Sequence, residues 1–208
     1  MTEAFRFVGE QLAGIIYGVA TVLLYPVLAA EVLALIASVF EFGRFTVEAF
    51  KRFRRRRHVN IEAVAGAVGL ANDVASVTAA LGGLAGGPVV AEVSRSLESG
   101  KYLSRSRVLK SLADGEFVAS RRLERTRILV RIGPILGLMG TLIPISPALV
   151  ALAQGDVQTL SNNLVIAFST TVVGLLIGSL AYLVTTFRDR YYHEDMVDLE
   201  YVLDRLEV

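Results

Sequence analysis

The chain lacks cysteine and has almost no histidine, and each absence excludes a class of site. With no cysteine among 208 residues, disulfide bonds and cysteine-ligated metals are excluded. The two histidines, His58 and His193, lie far apart in the sequence, so we expect no metal site. No cofactor pattern is present, and no carboxylate pair or nucleophile–base set lies in or near the apolar runs. We therefore expect that the protein binds no cofactor and is not an enzyme.

Charge is missing from two long runs of the chain. Residues 132–153 and 164–187 contain no charged side chain, and Glu31 alone interrupts the apolar run 12–40. A helix needs about 20 apolar residues to cross ~30 Å of hydrocarbon. Buried helices of a soluble protein are the alternative, but two such runs are rare in a soluble chain of this length. The sequence therefore predicts an all-α integral membrane protein with three transmembrane helices.

The pattern that is typical of β-strands is also absent, so the remaining residues are expected to be helical. We predict an N-terminal segment with the first transmembrane helix in residues 1–41, followed by a cytoplasmic helical domain in residues 42–131. The second and third transmembrane helices occupy residues 132–187, and a cytoplasmic tail occupies residues 188–208.

Capping and turn residues suggest how the cytoplasmic domain is divided. Asn60 is placed to cap a helix that runs from Ile61 to about Leu81. A second helix is expected over Val89–Ser99. A break is expected at Asp114-Gly115, after which one long helix continues from Glu116 into the second span.

Lysine and arginine are distributed very unevenly. Seventeen of the 21 lie between Arg44 and Arg131, whereas the link 154–163 has none. This distribution predicts a multi-pass protein of the cell membrane, with its N-terminus outside and its C-terminus in the cytoplasm. The basic run Lys51–Arg57 is then expected to contact membrane lipid, and not nucleic acid. Residues 1–40 lack the basic start of a cleaved signal peptide, so we expect the first helix to be retained.

Small residues recur at helical spacing in both charge-free runs. Membrane helices associate by close backbone packing through such residues, so these stripes predict close helix packing within one subunit. The stripes are Gly133, Gly137, Gly140, Pro144 and Ala148 in the second span, and Ala167, Thr171, Gly174, Gly178 and Ala181 in the third.

Hydroxyl side chains accompany both stripes. Thr141 lies near the middle of the second span, and Thr171 lies in the third span with Ser169 and Thr170 beside it. A membrane threonine commonly bonds back to its own helix. Two threonines on consecutive stripes are also placed to line a narrow polar path for an ion or for a partner's carboxyl group.

Acids are absent from the second and third spans. A proton path normally needs a titratable group in the membrane, so the acid must come from a partner or from Glu31. A charge at the centre of a membrane helix would cost ~3 kcal/mol. We favour the interpretation that the first span ends near Ala30 and that Glu31 lies at the inner interface.

Two segments of these spans resemble a known family. Residues 133–141, with the sequence GPILGLMGT, are similar to the APLLGLLGTV signature of the MotA/TolQ/ExbB proton channel family. Residues 167–175, with the sequence AFSTTVVGL, are similar to the ALxATAxGL motif on the last helix of that family. The predicted order of spans and cytoplasmic regions also matches. The chain departs from the family at Ile166, a position where the family often has a glutamate.

The resemblance implies a homo-oligomeric ring, typically a pentamer, around a dimer of single-span partners similar to ExbD, TolR or MotB. The partner's membrane aspartate would carry the proton past threonines of the ring, and Thr141 and Thr171 match those positions. Ser169 and Thr170 would add oxygens beside this ion path. The glycines would keep the helices close; they are Gly133, Gly137, Gly140, Gly174 and Gly178.

The function implied by the resemblance is that of a ring-forming subunit of an ion-driven membrane motor, with the proton as the expected ion. The alternative is a non-conducting scaffold oligomer that holds a partner protein. The two differ in a testable way, because a scaffold should tolerate valine at Thr141 and Thr171, and a motor should not.

Overall fold

The chain is helical throughout the part that the structure describes. The structure is a computed structural model that describes residues 2–56, 59–71, 73–84, 87–100 and 102–206. Within these ranges there is no strand, so the all-α prediction is confirmed. His58 and Arg57, the end of the basic run, lie outside the described residues. The helices are α1 (Thr2–Arg56), α2 (Ile61–Gly69), α3 (Val74–Leu81), α4 (Pro88–Glu98), α5 (Arg105–Ala153) and α6 (Val157–Leu203).

Three of these helices, α1, α5 and α6, are long and apolar enough to cross a membrane. The three runs that suggested spans therefore lie on three separate helices, as expected of a multi-pass membrane protein. Contacts divide the chain into two units. We call Met1–Phe40 with Ile128–Tyr182 the membrane unit, and Glu41–Arg127 with Leu183–Val208 the charged unit.

The charged unit has an apolar core of valine and leucine side chains. Val68, Val77, Val93, Leu97 and Leu199 are fully buried in it. Fully burying a side chain of this size contributes about 1.5–3 kcal/mol relative to exposure. The short helices α2, α3 and α4, each too short to be stable alone, are thus held in place by tertiary packing.

The predicted cap at Asn60 is confirmed, but the helix it begins is shorter than predicted. Asn60 Oδ1 accepts a hydrogen bond from the Ala63 amide at 3.2 Å. The helix then stops at Gly69, and α3 begins after Asp73, whose Oδ1 accepts from the Ser76 amide at 3.0 Å. Hydrogen bonds from Ser76 hold the pKa of Asp73 below its usual value. The single helix predicted to reach Leu81 is therefore wrong, because Asp73 caps a second one.

The predicted break at Asp114-Gly115 is also wrong, since α5 passes through it. Gly115 is buried, and a Cβ built on it would lie 2.7 Å from Val93 Cγ2 of α4. Asp114 accepts hydrogen bonds from Ser96 and Lys110, which lower its pKa. Both residues thus serve the packing of α4 on α5 and do not end the helix.

The turn between α5 and α6 occupies only the start of the segment 154–163 that links the two charge-free runs. Asp156 caps α6, accepting hydrogen bonds from the Thr159 amide at 3.0 Å and from Thr159 Oγ1 at 2.6 Å. These bonds lower the pKa of Asp156. Gly155 has φ of 74°, a left-handed conformation that glycine adopts without strain. The turn is therefore complete within three residues, and α6 starts at Val157.

Candidate ion pathway in the membrane unit

The backbones of α5 and α6 meet at glycines. A Cβ built on Gly174 would lie 2.6 Å from Gly137 Cα and 2.7 Å from Gly133 O, which are distances no real side chain tolerates. A Cβ on Gly178 would lie 2.9 Å from the Pro134 ring. The two helices are therefore in direct backbone contact over this stretch, as small-residue motifs permit in membranes. We call this contact the glycine seam.

The glycine seam ends at a threonine. A Cβ built on Gly140 would lie 2.6 Å from Thr170 Cβ and 2.7 Å from Thr170 Oγ1. Thr170 is buried, whereas Thr171, which the sequence placed in the stripe, is only half-buried. The Thr170 side chain thus packs against α5, whereas Thr171 approaches α5 through its backbone, with its Cα 3.5 Å from a Cβ built on Gly137.

Each of the three threonine hydroxyls donates to its own helix. Thr141 Oγ1 donates to Leu138 O at 2.7 Å, and Thr170 Oγ1 and Thr171 Oγ1 donate to Ala167 O at 2.9 Å and 3.3 Å. A hydroxyl that has donated its proton still has lone pairs that can accept. These oxygens are therefore available to a cation or to a protonated carboxyl group. Ser169 lies on an exposed face of α6.

The first helix brings a carboxyl group into the membrane unit. Glu31 is 3% exposed, and its carboxyl lies within hydrogen-bonding reach of the Gly174 backbone. Because Gly174 lies near the middle of the charge-free run 164–187, the carboxyl is deep among apolar residues. α1 also continues without a break to Arg56. The interpretation that the span ends near Ala30, with Glu31 at the inner interface, is therefore wrong.

A signal for this position was present in the sequence. Val27, Glu31, Ala34 and Ser38 recur at intervals of four, three and four, and all four are buried. Such spacing places them on one face of a helix. Small-residue stripes are evident in the charge-free runs, whereas in α1 the charge of Glu31 interrupts the apolar pattern and obscures the shared face.

The charged unit contains two ion-pair groups that the sequence analysis did not find. Arg188, 5% exposed, pairs with Glu41 at 2.8 Å and with Glu48 at 3.2 Å, and Tyr192 donates to Glu48 at 3.3 Å. We call these four residues the Arg188 cluster. The cluster joins α1 to α6 within the charged unit.

The second group centres on Arg52. Its guanidinium pairs with Asp195 at 2.7 Å and with Glu194 at 3.5 Å, and it lies 4.8 Å from the centre of the Tyr191 ring. Arg52 is 8% exposed, although it belongs to the basic run predicted to contact lipid. At least one arginine of the basic run, Arg52, therefore forms ion pairs inside the protein.

Comparison with known proteins gives one family. Residues 100–200 match the model of the MotA/TolQ/ExbB proton channel family. This segment contains the glycine seam and the three threonines, whereas Glu31 on α1 lies outside it. The comparison with curated proteins gives no match.

Proposed function

We propose that this chain, whose residues 100–200 match the model of the MotA/TolQ/ExbB proton channel family, is the ring-forming subunit of an ion-driven membrane motor. The observation that carries the proposal is the glycine seam between α5 and α6, with threonine oxygens at its end, inside the segment that matches the family model. Five copies form the ring, and a dimer of single-span partners similar to ExbD, TolR or MotB occupies its centre.

The ion path runs past hydroxyl oxygens supplied by the ring. Thr141 and Thr171 flank the seam, Thr170 lies at its end, and Ser169 is exposed beside them. α5 and α6 have no acid in their charge-free runs, so a partner's membrane carboxyl group carries the ion past these oxygens. One charge moved through the membrane potential is worth ~2.3 kcal/mol per 100 mV. That energy is enough to bias one step between packed states of ring and partner.

The orientation follows from the charges that flank the spans. Seventeen of the 21 lysine and arginine residues lie in residues 44–131, between the apolar run 12–40 and the charge-free run 132–153, which supports a cytoplasmic location for that segment. The N-terminus and the turn at Gly155 then lie outside, and the C-terminus lies inside. The protein is accordingly proposed to act in the cell membrane.

The test compares two changes of the same kind. The double variant Thr141→Val with Thr171→Val removes two oxygens from the path and keeps side-chain volume. Thr21→Val is the matched control, because Thr21 is exposed on α1 and its hydroxyl also bonds back to its own helix, to Tyr17 O at 2.9 Å. Ion flux is measured in vesicles that contain the chain and its single-span partner.

We expect the double variant to lose ion flux at least about tenfold, since polar oxygens are replaced by methyl groups in the path, whereas Thr21→Val retains it. The native mass of each purified variant, corrected for detergent, should remain that of five 22.5 kDa chains. Full ion flux in the double variant would mean that Thr141 and Thr171 are not part of the ion path. A stable monomer or dimer of the unaltered chain would exclude the ring and favour the scaffold function over the motor function.

A further inference from the structure

The buried stripe of α1 contains a carboxyl group that the proposed motor does not use. Val27, Glu31, Ala34 and Ser38 are buried, while residues between them, such as Leu33 and Ile36, are 67% and 60% exposed. Ser38 Oγ donates to Ile177 O at 3.4 Å, and Glu31 reaches the Gly174 backbone. One face of α1 thus packs against α6 inside the membrane unit, and Glu31 lies in that contact.

The carboxyl group of Glu31 is incompletely satisfied. Its Oε1 atom has no hydrogen-bond partner among the residues that the structure describes. A carboxylate near the centre of a membrane costs ~3 kcal/mol even by the lowest estimates, and such groups generally mark ion pathways. The group must therefore be neutralised by something other than the contacts seen.

No charged group of the neighbouring spans can neutralise it. The runs 132–153 of α5 and 164–187 of α6 contain no charged residue, and their one titratable side chain, Tyr182, is 60% exposed. On α1 itself, the nearest titratable side chain is Tyr25, which is 78% exposed. A proton or a small cation from outside the protein is what remains.

The position of Glu31 connects it to the glycine seam. A Cβ built on Gly174 of α6 would lie 2.6 Å from Gly137 Cα of α5, and Glu31 approaches the same Gly174 from α1. Thr170 lies one helical turn before Gly174. A cation held at Glu31 would thus lie where three helices meet, about one turn of helix, ~5.4 Å, from the end of the seam.

We propose that Glu31 is an ion-binding carboxyl group of the membrane unit, neutralised by a reversibly bound monovalent cation, either a proton or Na⁺. Glu31 then gives each subunit of the ring its own acid, on α1. The position on α6 where the family often has a glutamate is occupied by Ile166 in this chain. The use of this ion for work rests on the proposed function. Binding of the ion does not, because every contact that supports it lies within one chain.

The experiment uses dicyclohexylcarbodiimide on the purified full-length chain, without a partner. A protonated carboxyl group in apolar surroundings adds to this reagent: its proton moves to one nitrogen, its oxygen bonds to the central carbon, and the acylisourea rearranges to a stable acylurea with no atom lost. Modification is located by mass spectrometry of peptides and followed over time, at several pH values, in NaCl or choline chloride of equal concentration.

We expect an adduct on the peptide that contains Glu31, and its loss in Glu31→Gln. If the cation is a proton, the rate falls by about tenfold per pH unit above the titration midpoint and is equal in both salts. If the site also binds Na⁺, NaCl slows the reaction several-fold relative to choline chloride. Absence of an adduct on this peptide, or a rate that depends on neither pH nor Na⁺, overturns the proposal.

Two further measurements keep this result separate from folding and from the motor. Glu31→Gln should preserve the native mass and the unfolding temperature in detergent, because glutamine has the shape of the protonated acid. A large drop in unfolding temperature, of the size seen when a buried ion pair is broken, would instead assign Glu31 a structural charge and overturn the proposal. If the threonine variants lose ion flux while Glu31 is still labelled, both proposals are supported. If these variants keep their ion flux while Glu31 is still labelled, only the proposed path of the motor is overturned.

Discussion

At the scale of single residues, the glycine seam sets how close α5 and α6 can come. Gly174→Ala places a methyl group 2.6 Å from Gly137 Cα, where backbone atoms and not a flexible side chain must move. Overpacking of this kind typically costs about 1–3 kcal/mol. We expect a lower unfolding temperature in detergent and weaker assembly of the proposed ring, measured by thermal unfolding and native mass.

The matched control for that variant is Gly18→Ala, also within a membrane helix. No atom lies within 4 Å of a Cβ at Gly18, and alanine is favoured over glycine in a helix by about 1 kcal/mol. This variant should be as stable as the unaltered chain or slightly more stable. Equal effects of the two changes would mean that the seam is not a tight contact.

Tyr192 offers a second prediction at this scale. Burial, reinforced by the nearby Glu48 charge, raises its pKa to about 12. The difference in phenolate absorbance between the unaltered chain and Tyr192→Phe should therefore titrate near pH 12, and not near the ordinary value of about 10. Because the folded pKa is the higher one, the neutral phenol stabilises the fold fully below pH ~10. That contribution is lost as pH rises toward ~12.

Stability measured across that alkaline range provides the check. The unfolding temperature of the unaltered chain should fall more between pH 10 and 12 than that of Tyr192→Phe. Lysine titration is common to both proteins and cancels in the comparison. A difference spectrum that titrates near pH 10 would contradict the burial of this phenol.

Residue types and spacing indicated the glycines of the seam, but not the residues at its edges. Thr170 and Thr171 are adjacent, and a helix rotation of about 100° decides which of them is buried; repeating small residues cannot fix that angle. Glu31 was misplaced for a different reason. Its charge was taken as the end of a span, while a packing partner on α6, Gly174, made an interior position possible.

At the scale of helices, the Arg188 cluster is a buried polar link between α1 and α6 within the charged unit. Arg188→Met leaves Glu41 and Glu48 without their partner at a site where the arginine side chain is only 6% exposed. Removing one member of a buried ion pair typically costs about 3–5 kcal/mol. We expect a large fall in the unfolding temperature in detergent.

Arg127→Met is the control for that change. Arg127 pairs with Asp189 at 3.1 Å, but both side chains are more than half exposed. Such surface pairs contribute about 0–1 kcal/mol, so this variant should unfold near the temperature of the unaltered chain. Adding Glu41→Gln and Glu48→Gln to Arg188→Met should restore part of the loss. No recovery would mean that the arginine acts through packing alone.

The boundaries of the short helices show where prediction from sequence fails. Asn60 was recognised because a cap is a local signal, but Asp73 interrupts a run whose apolar residues looked continuous. Asp114-Gly115 looks like a turn and is helical, since Gly115 accepts the close approach of Val93. The cap at Asp73 is a local signal, formed with Ser76 three residues on. The contact of Gly115 with Val93 is distant in sequence, and a single-sequence pattern contains no record of it.

At the scale of the whole molecule, three apolar runs were sufficient to predict the three long helices and the fold class. Composition and periodicity suffice here because a membrane span must satisfy its own backbone hydrogen bonds. The arrangement of the ion-pair groups was not predictable, since their partners are more than 100 residues apart in sequence: Arg188 with Glu41 and Glu48, and Arg52 with Glu194 and Asp195. Charge counts alone do not specify such pairs.

The orientation in the membrane is the property of the whole molecule that can be tested most directly. Because the chain has no cysteine, a single introduced cysteine reports on one position. Gln154→Cys lies at the turn between α5 and α6, and Ser120→Cys lies on the basic part of α5; both positions are exposed. We expect a membrane-impermeant maleimide to label Gln154→Cys in intact cells, and Ser120→Cys only after the membrane is opened.

The physical reason is the cost of moving basic residues across the membrane. Most lysines and arginines lie in residues 44–131, between the apolar run 12–40 and the charge-free run 132–153, and basic residues that flank spans favour the cytoplasmic side. After the membrane is opened, both cysteines must be labelled equally; this control excludes burial in the proposed ring as the cause of a difference in intact cells. The reverse pattern, with Ser120→Cys labelled in intact cells, would place the charged unit outside. A partner would then have to approach the threonines from the opposite side.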